Sequence, residues 1–359
     1  SIKIKANNCM AYLNLGAVLM DQGRLEEAET AIKQSIKLNP NIGMAYANLS
    51  QIENFKGDKT ASANLLKIAF DLDSENEAII WKISEYFYLS SQYLTAINYL
   101  KKSQSNRCQT LLLGCLLSLD REKEFHEISK KLLSKKLCNA ELGGIIEHAN
   151  YIYDQKIKSP FCSNTFKYVY IDQVNESMLS EKDIQHLISF VENENTSLKS
   201  QSNLKKGKQT SGNLFALNEP YIQNMKDALI TKIEMYKESH KNSGEGFIQN
   251  WPKKYILSAW MISMNTGGFL EQHNHGYGWI TGSFYLQVPK NKNIKDNGGS
   301  IAFSLNGPNY PTKDKKFATK IQNINKRDLV LFPSSLFHYT IPFESIEKRI
   351  CFVFDLMPA

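Results

Sequence analysis

Seven histidines occur in this chain, and His273, His275 and His338 fall in extended-looking stretches at a spacing suited to metal chemistry. The first two lie in Gly267-Gly268-Phe269-Leu270-Glu271-Gln272-His273-Asn274-His275. Side chains at i and i+2 of a strand share one face. His338, from a distant strand, can then close a three-ligand facial site for a transition metal, Fe(II) above all. Arg349 follows shortly after, and a guanidinium next to such a metal could clamp the carboxylate of a small organic acid. That combination points to an oxygenase.

The elements that would position these residues are short extended runs: Tyr255 to Met264, Gly278 to Val288, Ser300 to Ser304, Lys316 to Ile321, Asp328 to Phe332 and Arg349 to Leu356. Gly267-Gly268, Asn297-Gly298-Gly299 and Asn306-Gly307-Pro308 punctuate them. Many short strands with turns between them predict a β-sandwich or barrel, and a jelly roll has a mouth that can hold a ligand. Upstream, Lys167 to Ile171 alternates like a first strand. Ser180-Glu181-Lys182-Asp183 opens a helix as a capping box, and a second amphipathic helix spans about Glu219 to His240. The polar segment Lys205 to Asn213 reads as a loop.

The N-terminal third repeats with a period of about 34 residues, the length of a helix-turn-helix repeat unit. Ala11-Tyr12-Leu13-Asn14-Leu15 returns as Ala45-Tyr46-Ala47-Asn48-Leu49, Gly23 as Gly57 and Leu38 as Leu72, with Ala28, Ser62 and Ala96 in one small-residue slot. Apolar residues at three-and-four spacing make helices, small residues let paired helices approach, and glycine suits a helix end that needs positive φ. This pattern resembles tetratricopeptide repeats over roughly residues 8 to 135, weakening after the second copy. The resemblance implies a solenoid with a groove for a peptide or protein ligand; a capping role for so short an array is the alternative.

The C-terminal blocks resemble a family as well. Gly268-x4-His273-x-His275, Thr281 to Leu286, Gly298 to Phe303, Asp328 to His338 and Arg349 to Phe354 follow in order. Together they are similar to the 2-oxoglutarate- and Fe(II)-dependent oxygenases of the prolyl-hydroxylase-like group, over roughly residues 165 to 358. The resemblance implies iron held by His273 and His338, with Fe(II) as cofactor and 2-oxoglutarate as cosubstrate. It assigns Arg349 and Tyr285 to the far carboxylate of 2-oxoglutarate and offers Ser263 as a further contact. His275 stands where that family has Asp or Glu. It is read either as a third ligand, as a neighbour of a two-histidine site, or as the mark of a degenerate one.

The expected architecture is therefore α + β and multidomain: a tetratricopeptide solenoid (1–140), a connector (141–164), and a double-stranded β-helix or jelly-roll oxygenase domain with supporting helices (165–359). The net charge of +7 is spread among carboxylates, which argues against a nucleic-acid footprint; Lys205, Lys206 and Lys208 are the one cluster. No run of eighteen apolar residues occurs, so no membrane span is expected. Six scattered cysteines without metal spacing read as reduced thiols in a cytoplasm. The N-terminus reads as that of a fragment. The resemblance implies hydroxylation of a C–H bond in a protein, peptide or small molecule, with release of succinate and CO₂. The alternatives are a catalytically silent binding scaffold and a three-histidine dioxygenase that does not use 2-oxoglutarate.

Overall fold

A computed structural model describes residues 8–290 and 297–359. The chain divides into two compact units, residues 1–135 with 197–200, and residues 136–196 with 201–359. Segment 141–164, expected as a connector, carries helix α9 (Ala140–Ile152) and belongs to the second unit.

The first unit is a row of helix pairs: α1 (Cys9–Asp21) with α2 (Leu25–Leu38), α3 (Gly43–Lys56) with α4 (Lys59–Leu72), α5 (Glu77–Leu89) with α6 (Tyr93–Leu100), and α7 (Asn106–Ser118) with α8 (Glu122–Ser134). The short strand β2 (Leu198–Lys199) is grouped with them. The first three pairs start at Cys9, Gly43 and Glu77, in equal steps. The fourth starts early, at Asn106, because α6 has only 8 residues. Gly57 ends α3 at φ 92°, a left-handed conformation that is strained for any residue with a Cβ. Small residues set the pair spacing: a Cβ on Gly16 would lie 2.4 Å from Ile32 Cγ1. The first two pairs close over Leu13, Ala28, Ile32, Ala45, Leu49 and Ile52.

The second unit holds two sheets. Within this unit the larger runs β1 (Tyr170–Gln173), β8 (Asp328–Pro333), β5 (Ile280–Gln287), β10 (Arg349–Pro358), β4 (Tyr255–Leu270), β3 (Leu204–Thr210); the smaller runs β7 (Thr319–Gln322), β6 (Ile301–Ser304), β9 (Phe337–Thr340). Helices α10 (Glu181–Glu192) and α11 (Pro220–Ser239) share the apolar core on the outer face of the larger sheet. Ser180 caps α10, its hydroxyl accepting from Asp183 N–H at 3.1 Å. The short helix α12 (Gly246–Gln249) buries Phe247 in the same core.

The period-two rule decides which β10 residues line the interior. Ile350, Phe352, Phe354 and Leu356 pack into the outer core with the helices, while Cys351 and Val353 belong to the core between the sheets. Arg349 and Asp355 share the inner side with Cys351 and Val353. In register, Cys351 faces Tyr285, Val353 faces Ser283 and Asp355 faces Thr281.

The loop expected from Lys205 to Asn213 is not what forms. Residues 204–210, read as part of a polar loop, form strand β3 paired antiparallel with β4. Ladder hydrogen bonds come from the backbone, so a polar segment can pair with a 16-residue strand. Its lysines stay outside, Lys205 pairing with Glu271 at 3.2 Å and Lys208 with Glu192 at 3.6 Å.

Candidate metal centre

His273 follows β4 and His338 sits in β9, and their backbones exchange hydrogen bonds. His273 N–H donates to His338 carbonyl oxygen at 3.0 Å, and His338 N–H donates to that of His273 at 2.8 Å. This two-residue bridge sets the rings side by side, with centroids 4.4 Å apart. Two residues on, His275 N–H donates to the Ser334 carbonyl at 3.1 Å, and the His275 ring comes to 5.1 Å from each of the others. One ring nitrogen from each of the three lies within 4.8 Å of the other two.

The orientation of the rings matters as much as their proximity. His273 Nδ1 lies 2.8 Å from the Glu271 carbonyl oxygen, His338 Nδ1 lies 3.2 Å from that of Leu336, and His275 Nδ1 lies 2.7 Å from Asp355 Oδ1. Each Nδ1 faces an acceptor, which assigns its proton there and leaves the Nε2 lone pairs for a ligand. His273 and His275 Nε2 atoms are 3.2 Å apart. Two nitrogens bound about 2.1 Å from one ion at octahedral to tetrahedral angles lie about 3.0 to 3.4 Å apart. The donor set therefore fits a divalent transition metal.

The walls keep the His273 and His338 rings neutral. Burial, reinforced by the neighbouring His275, pushes His273 down to about 3, and burial with both neighbours pushes His338 well below its ordinary value. Phe332 sits edge-on to His338 at 4.7 Å, and Trp260 stacks on His275 at 5.6 Å. Helix α9 backs the histidine loop: a Cβ on Gly144 would meet Ser335 O at 2.9 Å and Asn274 Nδ2 at 3.0 Å.

Further along the inner face of β10, Arg349 is 2% exposed, and no carboxylate among the described residues pairs with it. Its Nε donates to the Gly299 carbonyl at 3.0 Å and its Nη1 to Cys351 Sγ at 3.6 Å, leaving part of the fork for another acceptor. The guanidinium lies 4.9 Å from the Tyr285 ring centroid. The Tyr285 hydroxyl is buried without a hydrogen-bond partner, and burial raises its pKa, so it stays a donor at neutral pH. A buried cation and an orphaned phenol facing one interior suit an anionic ligand.

The structure thus brings His273, His275 and His338 together, and separately Arg349 with Tyr285. It places Ser263 elsewhere. Ile262 and Met264 face the interior, so their neighbour Ser263 points to the other side, where its hydroxyl donates to Glu192 Oε1 at 2.7 Å. Sequence reasoning missed Asp355 and Thr281. The signal available was an acid at an inner-facing position of the apolar run Arg349-Ile350-Cys351-Phe352-Val353-Phe354-Asp355.

Residues 258–355 match the family described as "Putative 2OG-Fe(II) oxygenase", and residues 10–42 match the tetratricopeptide repeat. The C-terminal region thus carries a match to a putative 2OG-Fe(II) oxygenase domain. No curated protein sequence matches the chain. Among solved structures, this chain is similar to a Pseudomonas putida prolyl-4-hydroxylase at 11% identity, over 53% of this chain and 92% of that one, with a TM-score of 0.36. YrrB, a TPR protein with an unusual peptide-binding site, is similar at 15% identity over 44% of this chain and 84% of its own, with a TM-score of 0.36. Pseudomonas aeruginosa PilF is similar at 16% identity over 36% of this chain, which spans 62% of PilF, with a TM-score of 0.32.

Proposed function

We propose that the C-terminal domain is an Fe(II)- and 2-oxoglutarate-dependent dioxygenase that hydroxylates a C–H bond of a peptide or small molecule. The overall change is R–H + 2-oxoglutarate + O₂ → R–OH + succinate + CO₂. The observation that carries this reading is one interior lined at one end by three converging imidazoles and further along by a buried guanidinium with no counter-ion among the described residues. When bound, iron would supply the O₂ activation and redox chemistry that no side chain here can.

The residues of the chain have the remaining tasks. His273, His275 and His338 would hold the ion through Nε2. Arg349 receives the far carboxylate of 2-oxoglutarate through N–H donors not already engaged, and Tyr285 adds an O–H donor. Phe303, Phe332, Ile262 and Val353 form an apolar lining that keeps water from the reacting groups. Trp260 stacks on the His275 ring beside this lining.

The helical unit is read as the substrate-recruiting part. A recess of about 500 Å³ over its first two pairs, lined by residues including Met10, Leu13, Asn14, Met44 and Asn48, has the mixed polar and apolar character that suits an extended peptide. The cysteines are all unpaired, which suits a reducing compartment, and the protein is read as cytoplasmic. Among the described residues no helix is long and apolar enough to cross a membrane.

The test is succinate formation by purified protein supplied with Fe(II), 2-oxoglutarate and O₂, with or without added substrate. Succinate dependent on both iron and His338 supports the reading. Failure to bind either metal or 2-oxoglutarate sinks it in favour of a scaffold. The all-imidazole donor set favours one competitor, a dioxygenase needing no 2-oxoglutarate; oxygen consumption that survives Arg349→Ala without 2-oxoglutarate would select it.

A further inference from the structure

Asp355 is a carboxylate 8% exposed in a strand whose only other charged side chain is Arg349. A buried carboxylate needs strong partners. Arg349 is not one of them: it lies six residues away on the same strand, about 20 Å along the backbone. The partners present are His275, whose Nδ1 lies 2.7 and 2.8 Å from the two carboxylate oxygens, and Thr281, whose hydroxyl donates to Oδ1 at 2.7 Å. Thr281 gives its one proton to Asp355, so the Ser334 hydroxyl, 2.8 Å away, must donate to Thr281. Ser334 also supplies the carbonyl that takes His275 N–H at 3.1 Å. Side chain and backbone of His275 are thus held by one network.

We propose that Asp355 is a positioning residue for the metal centre, holding His275 as its Nδ1–H tautomer with Nε2 turned to the ion and lending negative charge from one remove. The inference rests on the reading that the triad binds iron. Three neutral imidazoles bring no charge to a divalent ion, and no carboxylate joins the described ligand cluster. A hydrogen-bonded carboxylate behind an imidazole fixes the ring and raises its basicity. Asp355 is thereby expected to offset the missing anionic ligand, and His275 without it would be free to turn Nε2–H toward the ion and repel it.

The experiment uses the full chain and Co(II) as the probe metal. Asp355→Asn keeps the size and shape and removes the charge. Calorimetric Co(II) affinity should fall by about 10- to 100-fold in Asp355→Asn. It should fall less than about twofold further when the same change is made in a His275→Ala background, since the effect passes through that ring. Nitrogen-15 histidine spectra of the metal-free protein should show the proton of His275 on Nδ1, and a changed pattern in Asp355→Asn. Equal weakening in both backgrounds, unchanged affinity in Asp355→Asn, or a wild-type Nε2–H tautomer would overturn the proposal. Wild-type protein that takes up no Co(II) would overturn the iron reading and with it the metal role of Asp355; the nitrogen-15 result would then show whether the aspartate still holds the ring.

Discussion

Replacing Arg349 by Met separates a ligand-binding arginine from a structural one. Of the five guanidinium N–H donors, Nε is used by the Gly299 carbonyl at 3.0 Å and one on Nη1 reaches Cys351 Sγ at 3.6 Å. Losing the Gly299 bond costs about 1 kcal/mol. Removing a buried charge that has no counter-ion among the described residues returns a desolvation penalty of several kcal/mol, in part already relaxed. The ligand-free variant should therefore be as stable as the parent or up to about 2 kcal/mol more stable. Binding should move the other way. Two charge-assisted bonds to a carboxylate are worth about 3 to 6 kcal/mol together, so 2-oxoglutarate affinity should drop by about 10² to 10⁴. Titration calorimetry with Co(II) present measures the affinity, and urea unfolding with and without 2-oxoglutarate measures stability. Ligand at one hundred times its Kd should stabilise the parent by about 2.7 kcal/mol and leave the variant unmoved. Two results would refute the assignment and make Arg349 a tie to the Gly299 loop. One is affinity retained within about threefold; the other is a ligand-free variant less stable by about 2 kcal/mol, more than the Gly299 bond alone accounts for.

Other expectations concern helix α9 and its supports. Burial pushes the Glu147 carboxyl up to about 8, so its charged form is disfavoured in the fold and stability should decline as pH rises from about 4.5 through 8. Glu147→Gln should remove that slope and gain about 2 kcal/mol at pH 9 after discounting for partial exposure, read from urea midpoints. His148 has the opposite sign. Burial lowers it to about 4, and its Nδ1 accepts Gly307 N–H at 3.0 Å, so stability present above pH 6.5 should be lost as pH falls toward 4. The loss should approach about 3 kcal/mol and be blunted in His148→Gln. Gly144→Val should push the added methyls into Asn274 and the Ser335 carbonyl, destabilise by about 1 to 3 kcal/mol and lower Co(II) affinity at least tenfold; unchanged affinity would mean the histidine loop is not set by α9. Gly282→Ala should destabilise by a similar amount with no comparable effect on metal affinity, because its Cβ would strike the Phe354 ring at 2.1 Å on the outer face.

Much of the molecule was legible from spacing. The repeat period foretold helix pairs that start at Cys9, Gly43 and Glu77. Short extended runs between turn residues foretold β4, β5, β8 and β10, and Ser180 foretold the start of α10. Strand β3 was not legible, since its pairing depends on backbone groups that polar side chains do not advertise. Strand β9 was anticipated as the distant strand that carries His338, though without bounds.

Residue type and order determined by themselves that the chain holds a repeat array, a strand-rich domain, and one ordered set of histidines, tyrosine and arginine. Those are local properties, because periodicity and motif order need no knowledge of what a residue touches. Only the tertiary structure decided that His275 converges with His273 and His338, and that Ser263 turns away toward Glu192. It also set Asp355 behind His275 across 80 residues of chain. The physical reason is that a ring's role depends on the group its second nitrogen meets. That partner is chosen by strand register, which pairs Asp355 with Thr281 and brings both beneath the histidine loop.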